Sequence, residues 1–345
     1  MGIYDWARYS AGDIWRELEA PSSGLRTDHC TMDTPCVCRE VATDREQRRG
    51  WLDPRKVERL AESVRSAGIA ILERAIPTAD LDFLALRMDF DSAHQIVTSK
   101  WKERRSFGST EAHDELNGGH AQQGLPRTAP WVLPSIVSNP LLEQCAIALL
   151  GSCYLQTNNG NTNLPGSGTQ PLHVDASWDI GDDGQPEPLH RLSFFIPMRD
   201  VSPHNGATEI WLGSHNDLSW VPGRKAADKH PNPGQPDVET QQTQRHRLPP
   251  TQVTIPKGAV LLRDARGWHR GMPNNSDRPR HLVTVAYVSQ QMPFRRGAAG
   301  GSMRYSDSCR DAFSRRHWPA GAFEAIHGGS PSIYSAHYRT TNFYR

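Results

Sequence analysis

Short β-prone runs fill the second half of the chain, and their concentration in that half restricts the fold more than any other feature. After Gly151, runs rich in β-branched and aromatic residues alternate with turns that contain glycine, proline or asparagine. Short strands separated by such turns are typical of an antiparallel sandwich or barrel. We therefore predict eight strands, at 154–163, 170–175, 191–199, 207–212, 251–255, 259–263, 268–271 and 282–289.

Helical patterns precede these strands. Asp53 can act as an N-cap, Pro54 suits the first helical position, and apolar residues then recur on one face as far as Gly68. We also predict a strand at 69–74 and helices that begin near Thr78 and at Pro140. The predicted fold class is α+β, mainly β, with N-terminal helices flanking a β-core.

Composition separates an N-terminal arm from one large domain. Residues 1–50 are polar and weakly periodic, whereas 51–345 form the predicted domain with its β-core at about 154–289. The polar, proline-rich stretch at about 216–250 is long enough to predict a lid-like insertion. The C-terminal extension, 290–345, contains many aromatic residues, so we expect it to pack on the core.

Charge and hydropathy argue against several classes of protein. Lysine and arginine total 39 against 38 aspartate and glutamate residues, so no global charge attracts nucleic acid or an anionic membrane. No apolar run approaches the length of a membrane span, and no secretory leader is visible. The six cysteines lack Cys-x-x-Cys spacing, which favours reduced thiols. These features predict a cytoplasmic protein with neither a nucleic-acid nor a membrane partner.

A His-x-Asp pair in the second predicted strand indicates a metal site. Side chains two positions apart on a strand point to the same face, so His173 and Asp175 would enter one cavity together. His269, which lies 94 residues after Asp175 between two strand-like segments, can supply a third ligand. Two histidines and one carboxylate leave coordination positions open, as in non-haem Fe(II) oxygenases. Structural zinc sites are usually closed by four protein ligands instead.

Two other pairs compete with this assignment. His215-x-Asp217 stands at the head of a polar, proline-rich stretch, and His113-x-Glu115 precedes the strand-rich region, so neither pair is held on a rigid strand. His173 and His269 could also be ordinary hydrogen-bonded histidines. Several strands separate Asp175 from His269, enough to carry the chain around a roll and back beside the first pair.

Three blocks of sequence resemble a known family in their order and spacing. They are NLPGSGTQPLHVDASWD, HNGATEIWLGSHN and IPKGAVLLRDARGWHRGMPNNSDRPRHLVTVAYV. Together they resemble the phytanoyl-CoA dioxygenase (PhyH) family of Fe(II)- and 2-oxoglutarate-dependent oxygenases. The resemblance implies a double-stranded β-helix, also called a jelly roll, as the core.

The resemblance also implies roles for single residues. His173, Asp175 and His269 match the family's metal ligands, and Arg280 matches the arginine that binds the distal carboxylate of 2-oxoglutarate. Guanidinium suits this role because it forms a planar, two-pronged pair with a carboxylate, although an arginine in the basic run Arg278–Arg280 could equally be solvated. Positions that hold the other end of the cofactor are matched by Thr208 and Gln170, which could instead be ordinary strand partners.

The function implied is the oxidation, most commonly hydroxylation, of an unactivated C–H bond. The substrate would be a small, largely hydrophobic metabolite or natural product, and 2-oxoglutarate and O₂ would yield succinate and CO₂. Two alternatives stay open: a cupin-like isomerase or hydrolase that uses the metal without 2-oxoglutarate, and a non-catalytic β-roll that binds a ligand or a partner protein. Arg280 argues against the first, and the three-ligand set argues against the second.

Overall fold

The computed structural model describes residues 37–97, 119–121, 125–176, 180, 184–185, 187–218, 236 and 238–290. The predicted C-terminal extension lies outside these residues apart from its first position, as do most of the arm and 219–235 of the predicted insertion. Within the described part, no helix is both long enough and apolar enough to cross a bilayer.

Most of the helices lie before the β-core. They are α1 (Asp44–Arg49), α2 (Pro54–Ala67), α3 (Thr78–Val97), α4 (Pro134–Val137) and α5 (Pro140–Leu150), and α6 (Val238–Arg247) follows later in the chain. The predicted cap of α2 is confirmed, because the Asp53 side chain accepts a hydrogen bond from the Arg55 amide (2.9 Å) and Gly68 ends the helix with φ 84°. Asn139 caps α5 in the same way, through a hydrogen bond from Leu141 N (2.9 Å).

Seven strands form the main sheet, in the order β1-β2-β8-β5-β10-β4-β3. All neighbours are antiparallel except the β1–β2 pair. The strand bounds are β1 Arg39–Val41, β2 Ile69–Glu73, β3 His120–Ala121, β4 Cys153–Asn163, β5 Arg191–Pro197, β8 Val260–Asp264 and β10 Arg280–Ser289.

A smaller sheet faces the main one. Its strands are β7 (Thr251–Gln252), β6 (Glu209–Ile210) and β9 (His269–Arg270), in that order. One hydrophobic cluster joins the two sheets, with Ile71, Phe195 and Leu261 from the main sheet and Ile210 from the small one. Two packed antiparallel sheets with N-terminal helices confirm the predicted α+β, mainly β class and its jelly-roll core.

The two faces of β5 show how the sheet separates structural packing from the site. Leu192, Phe194 and Ile196 point outward and join the cluster that buries helices α2, α3 and α5 against the sheet. Phe195 points inward and joins the cluster between the sheets. Because side chains alternate along a strand, the other odd-numbered residues of β5 also face inward.

Several predicted strands are shorter than expected. The run at 170–175 forms no continuous strand: its one bridge joins His173 to His269. Pro171 has no amide hydrogen to give to a ladder; instead the Gln170 amide donates to the carbonyl oxygen of Gly271 (2.9 Å), and the Gln170 side chain accepts from Gly271 N (2.9 Å). The run at 207–212 is reduced to β6, 251–255 to β7, and 268–271 to β9.

Several elements lie where none was predicted, among them α1, β3 and α4. Residues 39–41, assigned to the arm, form β1, and β1 pairs in parallel with β2. Residues 238–247, inside the predicted insertion, form helix α6. The division into arm, domain and insertion stays a prediction.

Candidate metal centre

Three predicted ligands lie together where the two sheets face each other. Potential ligand atoms of His173, Asp175 and His269 lie within 4.8 Å of one another, and among the described residues this is the one cluster of three such groups. Two backbone hydrogen bonds of 3.0 Å each join His173 to His269, and their ring centroids lie 4.3 Å apart. This single bridge therefore positions the two histidines, and the longer predicted strand is not needed for that purpose.

Backbone carbonyls orient both imidazoles. With its proton on Nδ1, His173 donates a hydrogen bond to the carbonyl oxygen of Pro171 (2.8 Å). Nδ1 of His269 lies 3.2 Å from the carbonyl oxygen of Gly267, which can accept in the same way. Each Nε2 is then available, and Nε2 of His269 lies 3.6 Å from a carboxylate oxygen of Asp175. A histidine that ligates a metal through one nitrogen commonly donates from the other.

Arg263 is a buried cation beside this cluster that the sequence analysis did not identify. Its guanidinium donates from Nη2 to Asp175, and Nη1 lies 3.2 Å from Nδ1 of His269. The same group packs over the ring of Phe195 at 4.9 Å. The one signal in the sequence is that this arginine directly follows the apolar run Val-Leu-Leu. In the structure all five residues of the strand VLLRD are buried.

The electrostatics of the cluster suit a divalent metal. Burial alone would raise the pKa of Asp175, but the charge of Arg263 and the neighbouring imidazoles outweigh it and bring this pKa well below its usual range. Burial lowers the pKa of His269 well below 6.5, and the charge of Arg263 acts in the same direction. Metals bind carboxylate and neutral imidazole, so both groups are held in the form that binds a metal.

Arg280 is buried with unused hydrogen-bonding capacity. It is 3% exposed, and Nη2 donates to the carbonyl oxygen of Gly206 (2.9 Å). Nε and Nη1 are buried without a hydrogen-bond partner, and burial lowers the pKa of the guanidinium to about 10. Buried donors without partners are rare in folded proteins. A bound carboxylate would supply acceptors to this unpaired edge of the guanidinium, so this residue fits 2-oxoglutarate.

Gln170 and Thr208 lie close to the strands that carry the cluster. The Gln170 side chain is engaged with the backbone of Gly271, as described above. Thr208 is half-buried directly before β6, and its carbonyl oxygen lies 3.5 Å from the amide of Val253. Neither arrangement reveals a ligand contact, and the assignment of both residues to the cofactor stays a prediction.

His215, the competing ligand, lies apart from the cluster. It belongs to a 3-10 turn, Ser214–Asn216, and its Nε2 lies 2.9 Å from the carbonyl oxygen of Arg65. This is the ordinary buried, hydrogen-bonded histidine considered as the alternative for His173 and His269. The third candidate pair, at His113, lies outside the described residues.

Comparisons with known proteins agree with this geometry. The family model of phytanoyl-CoA dioxygenase (PhyH) matches residues 44–282. A curated relative, the iron/alpha-ketoglutarate-dependent dioxygenase ausO of Aspergillus calidoustus, is 28% identical over 161 residues, which are 45% of this chain and 52% of the relative. The chain thus matches only about half the length of that relative.

Two solved structures are similar to this chain over about two thirds of its length. The non-heme alpha ketoglutarate dependent carbocyclase SnoK from nogalamycin biosynthesis is 16% identical, with a TM-score of 0.48, covering 67% of this chain and 83% of its own. AviO1 from Streptomyces viridochromogenes Tue57 is 18% identical, with a TM-score of 0.46, covering 68% and 96%. The family match extends over more than half of the chain and includes all three clustered residues. The chain therefore belongs to the phytanoyl-CoA dioxygenase (PhyH) family.

Proposed function

We propose that this protein is an Fe(II)- and 2-oxoglutarate-dependent dioxygenase. In this proposal His173, Asp175 and His269 hold the iron, and Arg280 binds the distal carboxylate of 2-oxoglutarate. The observation that carries the proposal is the combination of a three-ligand cluster with a buried arginine that has two donors to spare. When both cofactors are bound, the iron supplies oxidising chemistry coupled to the conversion of 2-oxoglutarate and O₂ to succinate and CO₂.

The protein's own contribution begins with the metal ligands. The carbonyl oxygens of Pro171 and Gly267 fix the two imidazole rings, so both Nε2 atoms point toward the same place. Arg263 holds Asp175 by a charged hydrogen bond. Three protein ligands leave further positions for the 2-oxo acid and O₂.

Arg280 orients the cofactor in this proposal. Its bond to Gly206 uses one N–H of Nη2, so Nη1 and the second N–H of Nη2 can bind the two oxygens of one carboxylate, while Nε remains a donor on the other edge of the guanidinium. Two parallel hydrogen bonds of this kind determine the angle of the bound group as well as its position. A dicarboxylic 2-oxo acid held at its far end can then present its other end to the metal.

We further propose that the substrate is a small, largely hydrophobic metabolite or natural product, and that the usual product is its hydroxylated form. Phe195 supports an apolar element near the metal, because its ring centroid lies 6.4 Å from that of His269. The curated relative is by name an iron/alpha-ketoglutarate-dependent dioxygenase, which agrees with the reaction proposed here. The proposal includes a role in secondary metabolism.

The test is to add Fe(II) and then 2-oxoglutarate without oxygen and to record the visible charge-transfer band. We expect the band in the wild type and in His215→Gln, and none in His269→Gln. Admission of oxygen should then produce succinate in the same two proteins. A band in His269→Gln, or its loss in His215→Gln alone, would show that we have assigned the wrong ligands.

The same experiment separates the two alternatives. A cupin-like isomerase or hydrolase would bind the metal but give no band with 2-oxoglutarate, and it would leave the buried donors of Arg280 without a function. A non-catalytic β-roll would show neither metal-dependent absorption nor succinate. The band together with oxygen-dependent succinate is expected from a dioxygenase alone.

A further inference from the structure

A second inward-facing arginine has no partner in the mechanism above. Arg191 is the first residue of β5 and is half-buried. Its Nε is buried without a hydrogen-bond partner, and no described carboxylate forms an ion pair with its guanidinium. A buried guanidinium N–H without an acceptor is rare in folded proteins, and an anion beside it would supply one.

The alternation of β5 directs this side chain toward the metal centre. Arg191 lies on the same face of the strand as Ser193 and Phe195, and Phe195 packs on Arg263. The backbone makes a second link, because Ala265 donates to the carbonyl oxygen of Arg191 (3.2 Å) and accepts from the amide of Asp175 (3.0 Å). Arg191 and a metal ligand therefore flank the same residue.

The pairing of β10 places Arg191 and Arg280 on opposite sides of the metal centre. Arg263 pairs with Ser193, which pairs with Ala286 on β10, so Ala286 marks the level of the cluster. Arg280 lies six residues from Ala286 toward the start of β10. Arg191 pairs with Val288, two residues from Ala286 toward the end of the strand.

This placement separates the two arginines by function. A cofactor that reaches from Arg280 to the metal occupies the region on one side of the cluster. Arg191 lies on the other side, away from that region. Burial lowers the pKa of Arg191, and the charge of Asp175 offsets only part of that effect. Asp175 is also already bonded to Arg263.

We propose that Arg191 binds a carboxylate of the primary substrate, so the substrate class is an organic acid with an apolar body. This inference rests on the proposed function and refines its substrate. Guanidinium and carboxylate form a charge-assisted pair that fixes orientation as well as affinity. The apolar body would then extend toward Phe195 and the metal, while the acid group stays at the outer end.

The experiment measures binding to protein that has been loaded anaerobically with Fe(II) and 2-oxoglutarate, so that Arg280 is occupied. The probes are apolar monocarboxylates from benzoate to decanoate, each compared with its primary amide, by saturation-transfer NMR and calorimetry. We expect acids to bind the wild type about tenfold to a hundredfold more tightly than their amides, which is the range for hydrogen bonds to a charged group. Arg191→Leu should remove this preference, Arg191→Lys should retain part of it, and Arg278→Leu, at an exposed arginine, should leave it intact.

The outcomes are distinct from those that test the cofactor. If acids and amides bind the wild type alike, or if neither binds, the inference is wrong. It is equally wrong if the preference persists in Arg191→Leu, or if that variant loses only thermal stability. The charge-transfer band should be unchanged in Arg191→Leu, so loss of the acid preference with an intact band supports the substrate role alone. Absence of the band from the wild type would instead contradict the proposed function.

Discussion

Replacing Arg280 with leucine should remove 2-oxoglutarate binding while leaving the metal site in place. The guanidinium of Arg280 makes one described hydrogen bond, to Gly206, and keeps Nε and Nη1 for a ligand. The bond to Gly206 is present with or without the cofactor. Its loss therefore lowers the stability of both states and contributes little to the change in affinity.

The magnitude follows from burial. Arg280 is 3% exposed, so a carboxylate bound there would form a buried ion pair. Removing one partner of such a pair costs about 3–5 kcal/mol. At roughly 1.4 kcal/mol per decade, the dissociation constant should rise by about two to three and a half decades. Removing an exposed arginine would cost about 0–1 kcal/mol and would raise the dissociation constant by less than one decade.

The assay is an anaerobic titration of the iron–cofactor absorption band in wild type, Arg280→Leu and Arg280→Lys. Arg278→Leu is the matched control, because that side chain is exposed two residues earlier in the chain. Lysine retains the charge but not the planar pair of donors, so we expect an intermediate affinity. Binding of Co(II) in the absence of 2-oxoglutarate checks that the metal ligands are intact in each variant.

Two results would refute the reasoning. If Arg280→Leu binds 2-oxoglutarate within a few-fold of wild type, Arg280 is not the residue that anchors the cofactor. If Arg278→Leu weakens binding as much as Arg280→Leu, the effect comes from the general basic charge of this segment rather than from a buried pair.

Two further predictions concern stability. Arg263→Leu should lower the free energy of unfolding of the metal-free protein by an amount in the lower part of the range of about 3–5 kcal/mol, because Asp175, its partner, is 33% exposed. With Co(II) bound the loss should be smaller, because the metal then neutralises the carboxylate. Equal losses in urea titrations of both forms would contradict this. His215 and His281 have pKa values lowered by burial, so they stay neutral in the folded protein while the unfolded chain takes up protons below pH 6.5. The free energy of unfolding should therefore be at its full value above pH 6.5. Below pH 6.5 each of these histidines should lower it by up to about 1.4 kcal/mol per pH unit. His215→Gln should reduce that slope in urea titrations between pH 7.5 and 5.5, and an unchanged slope would contradict the assignment.

The fold could be predicted from the sequence because its main signals are local. The cap at Asp53 and the helix start at Pro140 depend on neighbouring residues, and the structure confirms them. The family assignment is confirmed by the family match over residues 44–282, whereas the cofactors Fe(II) and 2-oxoglutarate belong to the proposed function. The 170–175 run was predicted too long, because periodicity does not register the donor missing at Pro171.

The parts of the site that escaped prediction depend on tertiary contacts. His173, Asp175 and His269 could be proposed because their spacing and the family blocks single them out. Arg263 and Arg191 belong to no short motif, and their interest comes from burial and from the strand pairing that directs them inward. No pattern of single residues distinguishes such arginines from solvated ones. The roles of all the named site residues, including Thr208 and Gln170, remain proposals for experiment.

The side chains of Arg280 and His281, the first two residues of β10, point to opposite faces of the sheet. The guanidinium of Arg280 reaches Gly206, whereas the imidazole of His281 bonds to Thr162 (2.8 Å) and to Asp89 on helix α3 (2.9 Å). A slip of this strand by one residue would exchange the two side chains. A misaligned chain would therefore lose its tie to α3 and its cofactor anchor together. Refolded preparations with partial activity should accordingly be mixtures of competent and incompetent molecules, rather than populations in which every molecule is weakened.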